Sequence, residues 1–165
     1  MRVFNNRIKI VKEAVEKAGA EQTYMAMQTV VKEKNGRKVA EKVQIAPSLL
    51  FVRWDEKSLV NFRFGRFGEF MIYTKPGKPD PAPISDEEMR IFMLVTSAPG
   101  SDKLEYLGEK FEYKTGDRVR VTEGPYKGAE GVIRRIKKDR KLIVAINGVA
   151  VVAVSHIPSQ FLEKL

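Results

Sequence analysis

Cysteine is absent from the 165 residues, which excludes disulfide staples, thiolate metal ligands and a cysteine nucleophile. That absence suits a reducing compartment, and a cytoplasmic location is the expectation. Histidine occurs once, at His156, so a common zinc site would lack a second ring nitrogen. No apolar run approaches the roughly 18 residues of a membrane-spanning helix. The opening residues, Met1-Arg2-Val3-Phe4-Asn5-Asn6-Arg7, lack the apolar stretch and small-residue cleavage site of a secretory signal. There is no GxxxxGK[ST] phosphate loop. Asp86, Glu87 and Glu88 form a carboxylate cluster, but acids at a helix start favour the macrodipole and need no catalytic role. No enzyme activity, cofactor, metal or membrane association is therefore expected.

What the chain does have is apolar content and positive charge. Hydrophobic residues make up 43% of it, enough for a packed core. The net charge is +9. Residues 114–141 hold ten Lys and Arg against four Asp and Glu, so the positive charge is concentrated in the C-terminal third. Such a cluster attracts a phosphate-rich neighbour through Coulomb forces and counterion release. The plainer alternative is a solvated surface.

Along the chain, residues 6–18 predict a helix, because Ile8, Val11, Val15 and Ala18 recur three and four apart and so share a face. Asn5 or Asn6 can cap its start and Gly19 its end. Residues 22–34, the turn pair Asn35-Gly36 and residues 38–45 predict a hairpin. Residues 49–54 read as a buried strand. Asp55 can cap a short helix carrying Leu59 and Phe62, and the turn Gly65-Arg66-Phe67-Gly68 leads to a strand over 70–73. The prolines 76, 79, 81 and 83 forbid regular structure between that strand and Ser85. Ser85 and Glu88 have capping-box spacing, which predicts a helix to about Ser97 burying Met89, Phe92 and Met93. A polar linker over 101–113, flexible near Gly100, Ser101 and Asp102, would then separate a domain over 1–100 from one over 114–165.

The last segment predicts short strands over 118–122, 129–136, 141–146 and 149–154, with a final edge over 160–165. The Lys138-Asp139-Arg140 turn and the Asn147-Gly148 hairpin signal divide them. Five short strands in about fifty residues imply a small barrel. Val149, Val151, Val152 and Val154 cannot all face one side of a strand, which leaves apolar surface for a partner.

The residues Gly116, Asp117, Val119, Gly124, Pro125, Lys127, Gly128, Gly131 and Val132 fall where a KOW domain places its motif, and residues 114–162 resemble one. The preceding residues resemble the N-terminal domain of the NusG family. They share its amphipathic helix, the strand Leu50-Phe51-Val52-Arg53 and the Pro81-Ala82-Pro83-Ile84-Ser85-Asp86-Glu87-Glu88 lead into the last helix. The overall flavour is similar to specialised paralogues of the UpxY type. Two departures stand out. Family members usually begin with a Trp-Tyr-Val strand, most of which lies before Met1 here. They also tend to carry a Phe-Pro-Gly-Tyr turn where this chain has Ala46-Pro47-Ser48-Leu49.

The resemblance implies an α+β architecture: an N-terminal α/β sandwich with an antiparallel sheet and flanking helices, followed by a small SH3-like β-barrel. It implies a transcription elongation or antitermination factor. Its N-terminal domain would bind RNA polymerase through Leu49, Phe51, Phe70 and Ile72, although these residues equally read as plain sheet core. Arg63 and Arg66 would contact nontemplate DNA or nascent RNA, with Phe62, Phe64 and Phe67 either stacking bases or packing beneath the sheet. The barrel would recruit a ribosomal protein or termination factor through Tyr126, Lys127, Val149 and Val151, its glycines serving as scaffold. Arg134, Arg135, Lys137, Lys138, Arg140 and Lys141 are the alternative, a nucleic-acid surface. A ribosome-associated or general RNA-binding KOW protein is the competing function. A monomer is expected, and a missing first strand would open a sheet edge for pairing between two copies.

Overall fold

The computed structural model describes residues 1–66, 68–99, 104–109, 116–136, 138–146 and 148–165. In chain order the elements are β1 (Arg2–Val3), α1 (Ile8–Lys17), β2 (Gln22–Tyr24), β3 (Met27–Lys34), β4 (Arg37–Gln44), β5 (Phe51–Arg53), α2 (Glu56–Arg63), β6 (Phe70–Met71), α3 (Asp86–Ser97), β7 (Glu105–Gly108), β8 (Asp117–Val121), β9 (Glu130–Ile136), β10 (Asp139–Ile146), β11 (Ala150–Ser155) and β12 (Leu162–Lys164). The fold class is α+β. Two compact units divide the chain, one formed by Met1–Met25 with Pro47–Pro83, the other by Ala26–Ala46 with Ile84–Leu165.

In the first unit, α1 presents Val11 and Val15 to a core completed by Val3, Leu50, Phe70 and Ile72. The four-residue spacing of the two valines puts them on one face. Asn5 and Asn6 do not cap the helix: Arg7 holds the N-cap position without a side-chain bond. Both asparagines instead take left-handed backbone, with φ of 54° and 56°, a conformation that Asn tolerates better than most residues. Asp55 caps α2 as the sequence predicts, accepting from Ser58 N at 2.9 Å.

β1 runs antiparallel to β6. On its other side Leu50 N donates to Met1 O at 3.0 Å and Val3 N to Ser48 O at 2.8 Å. Residues 1–3 are therefore bonded on both flanks, by β6 and by residues 48–50. Ser48, in the Ala46-Pro47-Ser48-Leu49 turn, sits at φ 67°. The predicted strand over 22–34 is two strands, because β2 pairs with β5 and β3 pairs with β4.

The second unit contains the β3–β4 hairpin, α3 and a six-stranded antiparallel sheet in the order β12-β8-β9-β10-β11-β7. Asn35 and Gly36 turn the hairpin with φ of 52° and 73°, the signature of a two-residue primed turn. α3 opens with the full capping box: Ser85 Oγ accepts from Glu88 N and the Glu88 carboxylate accepts from Ser85 N, each at 3.2 Å. It buries Ile91, Phe92, Val95 and Thr96. Met89 and Met93, expected in the core, are only half-buried. The helix packs on both β3 and β10.

The sheet is apolar on two faces. Leu142, Val144 and Ile146 of β10 sit opposite Val154, Val152 and Ala150 of β11, and all six are buried. At the intervening positions Ile143, Val151 and Ala153 form a second buried cluster with Leu107, Ile136 and Ala145 packed against it. β7 supplies Leu107 from within the segment expected as a linker, pairing with β11. Most of that segment, with Gly100, Ser101 and Asp102, lies outside the described residues, as does Asn147 of the second hairpin signal. Asp139 and Arg140, expected in a turn, belong to β10, and Lys138 takes the turn at φ 76°.

Gly131 marks the tightest crossing. A Cβ there would collide with the carbonyl oxygen of Ile143 and lie 3.0 Å from Leu142 Cδ1. Gly131→Ala is expected to destabilise the protein by about 1–3 kcal/mol, read from the urea midpoint at unchanged slope. Ser48→Gly should move the midpoint the other way, by about 0.5–1 kcal/mol, by relieving left-handed backbone at a residue with a Cβ.

Candidate partner-binding surfaces

Three groups of residues were candidates for contact, and the structure treats them differently. The apolar group is buried: Leu49 is 2% exposed, Phe51 6%, Phe70 4% and Ile72 9%. Phe70 and Ile72 belong to a buried cluster of the first unit with Val3, Val11, Val15 and Leu50, and the Phe51 ring meets Tyr24 at 6.3 Å between centroids. The exposed residue of β6 is Met71, which sequence reasoning passed over. Strand alternation separates Met71 from its neighbours, but it does not say which set faces outward.

The arginine group surrounds an aromatic stack. Phe62 stacks on Phe70 at 5.8 Å between centroids and meets Trp54 at 5.7 Å, so it packs under the sheet. The Arg66 guanidinium lies over the Phe62 ring at 4.6 Å and pairs with Glu69 at 3.5 Å. Arg66 is therefore held in place between the ring and the carboxylate. Arg63 is half-buried at the end of α2, and Phe64 beyond it is 68% exposed. Phe67 lies outside the described residues.

The barrel group divides into scaffold and rim. Gly116 has the Ile133 carbonyl 2.6 Å from where a Cβ would stand. Asp117 pairs with Lys164 at 2.7 Å, and Val119 is buried. Gly124, at φ 80°, lets the Phe161 ring lie 3.3 Å from its missing Cβ. Gly128 takes φ 86°, and its N donates to Val121 O at 2.8 Å. Val132 is half-buried. Val149 and Val151 are buried, at 7% and 3% exposure, and no longer stand as an open partner surface. Both faces of that hairpin have found cover.

A groove does open beside the loop. Pro125, Tyr126, Ile157, Pro158 and Phe161 line it, with Glu123 and His156 among its polar residues. Tyr126 is half-buried and Lys127 exposed at the tip. Sequence reading weighed His156 as a metal ligand and placed a last strand after it; His156 takes φ 63° ahead of Ile157-Pro158. It missed Phe161, whose role depends on the glycine opposite it.

Several barrel cations are already paired. Arg120 donates twice to Glu130 Oε1, at 2.7 and 2.9 Å, and that carboxylate raises its pKa. Lys141 reaches Glu105 at 2.5 Å. On α3, Arg90 and Glu87 form a two-bond pair at 2.6 and 2.8 Å; Arg90 holds the Glu87 carboxyl below its ordinary value, aided by the more distant Arg120. Arg135 and Arg140 sit directly opposite on β9 and β10, both exposed. Arg134 is half-buried and Lys138 exposed, while Lys137 lies outside the described residues. Among the described residues no cluster of His, Asp and Glu is placed to hold a metal ion, and no helix is long and apolar enough to cross a membrane.

A two-part architecture, with a helix-and-sheet segment leading into a glycine-built small barrel, matches known sequence families in the same order. The family described as transcription termination factor nusG matches residues 1–93, and the KOW motif matches residues 115–148. The chain belongs to the NusG family. It is 30% identical over 86 residues to the transcription termination/antitermination protein NusG of Borreliella burgdorferi, an alignment covering 52% of this chain and 46% of that protein. The chain thus matches about half the length of that relative. Its fold is similar to a solved structure concerned with domain interaction in Thermotoga maritima NusG, with a TM-score of 0.51, 21% identity, and coverage of 99% of this chain and 94% of that one.

The aromatic stack has a direct readout, because Trp54 is the sole tryptophan. Phe62→Ala is expected to cost about 2–3 kcal/mol, less than a fully buried Phe because the ring is half-exposed. Trp54 fluorescence should shift in the folded state, and urea unfolding followed at that wavelength gives the stability change.

Proposed function

We propose that the protein is a transcription elongation or antitermination factor that binds RNA polymerase through its N-terminal part and recruits a second protein through its barrel. The observation that carries this reading is the ordered pair of family matches, NusG over residues 1–93 and KOW over 115–148. In functional terms we divide the chain as 1–100, a connection over 101–113, and 114–165.

Leu49, Phe51, Phe70 and Ile72 are the polymerase-facing candidates, and all four are buried. Their burial means that engagement requires them to become exposed. Arg63 and Arg66, flanking the exposed Phe64, suit a single nucleic-acid strand: the guanidinium groups for phosphates, the ring for a base. Nontemplate DNA and nascent RNA share that chemistry.

For the second partner, the groove of Pro125, Tyr126, Ile157 and Phe161 replaces the buried Val149 and Val151. An apolar floor with Lys127 at its rim favours a protein segment over a polyanion. A ribosomal protein or a termination factor is the partner class that follows from this reading.

The test is capture of core RNA polymerase by the tagged full chain after nuclease treatment. Retention is expected, and Tyr126→Ala should leave it unchanged while weakening binding of the second protein at least severalfold. Capture that vanishes with nuclease and falls steeply with salt would instead identify a general RNA-binding KOW protein.

A further inference from the structure

The β3–β4 hairpin stands apart from the surfaces described so far. Every residue from Val31 to Lys42 is exposed, on both faces of a two-stranded ribbon whose register is regular from Met27 opposite Gln44 to Lys34 opposite Arg37. An isolated two-stranded ribbon is marginally stable in water. Here its base is anchored, since β3 packs on α3, and its far half is left without cover. At about 3.3 Å per residue that half projects roughly 15 Å.

Its chemistry is one-sided in charge. Residues 31–42 carry Lys32, Lys34, Arg37, Lys38 and Lys42 against Glu33 and Glu41. Lys32 pairs with Glu41 at 3.0 Å, and the Glu41 carboxyl is held below its ordinary value by Lys32 and then by Lys34. Opposite residues share a face, so the register places Lys32, Lys34 and Arg37 on one face, Lys38 and Lys42 on the other. Val31 is 66% exposed and Val39 44%, too small and too far out for an apolar docking face of their own.

We propose that this hairpin is an arm that binds duplex DNA. A two-stranded ribbon fits the major groove of B-form DNA, which is about 12 Å wide and 8.5 Å deep, and cations on both faces meet the phosphates of both groove walls. The deep, narrow major groove of duplex RNA does not admit such a ribbon. A single strand offers no groove to fill. The proposal stands independently of polymerase binding.

The test uses the full chain and fluorescence anisotropy with three labelled probes of one mixed sequence: duplex DNA, the corresponding single strand, and duplex RNA. The unsubstituted protein is expected to prefer duplex DNA, with affinity falling steeply between about 50 and 200 mM salt. The triple variant Lys34→Gln, Arg37→Gln, Lys38→Gln should bind duplex DNA about tenfold or more weakly at the lowest salt, with a log–log salt slope shallower by about 2–3. Arg37→Gln alone should reduce the slope by about 1, which keeps the test usable if the triple variant loses its hairpin by circular dichroism. Arg135→Gln with Arg140→Gln should retain duplex binding. Duplex affinity of the hairpin variants within twofold of the unsubstituted protein overturns the proposal, as does equal or greater loss in the barrel variant. Preference for the single strand or duplex RNA also overturns it. So does loss of polymerase retention with duplex binding unchanged, since that assigns the arm to a protein.

Discussion

The packing of α3 is the constraint on which the second unit depends. One helix of twelve residues touches the base of the hairpin on β3 and the barrel on β10, so two elements far apart in sequence share a single apolar platform. Its placement begins with chemistry at one end. Ser85 and Glu88 satisfy each other's backbone N–H groups, and three acids in the first turn suit the positive end of the dipole. Ile91, Phe92 and Val95 then enter the core, and Thr96 follows them because its hydroxyl donates to Phe92 O at 2.7 Å, which satisfies that hydroxyl inside the core. The exposed ion pairs along the same surface, Glu87 with Arg90 and Arg120 with Glu130, act at longer range. Each pair feels the other's charges, but pairs so exposed orient more than they stabilise.

The same packing accounts for the barrel's lack of an open valine surface. A strand buried on both faces reads as an unbroken apolar run, and residues 149–154 are such a run. The inner positions line the barrel, and the outer ones join Ile143, Ala153 and Leu107. What stays available for recognition is the loop end, where Gly124 admits Phe161 and a groove forms, and the hairpin, where nothing in its own unit covers residues 31–42. In this unit open surface thus lies at the tips of turns rather than on these sheet faces, a common arrangement for loops on a rigid scaffold.

Much of this was legible in the sequence. The capping box, the Asp55 cap, the Asn35-Gly36 turn and the barrel strands each carry a local signal strong enough to fix position. The failures have local causes too. Asn5 and Asn6 satisfy the composition of a cap, but the chain uses their tolerance of left-handed backbone instead. Residues 22–34 look like one strand because the break at Ala26 is marked by burial, not by a turn residue. The strand at 105–108 has only four residues and depends on β11 for its bonds, so nothing local announces it. For the candidate sites, exposure did not follow from residue type. Leu49, Phe51, Phe70 and Ile72 are all buried, and Phe161 acquires a place in the groove only beside a glycine 37 positions earlier in the chain.

At the end of the hairpin, Lys34 faces Arg37 across the two-residue turn. Like charges directly opposite one another oppose strand pairing, so the turn is stapled by its backbone and strained by its side chains. Added salt, which loosens most charged surfaces, tightens this one by screening the repulsion.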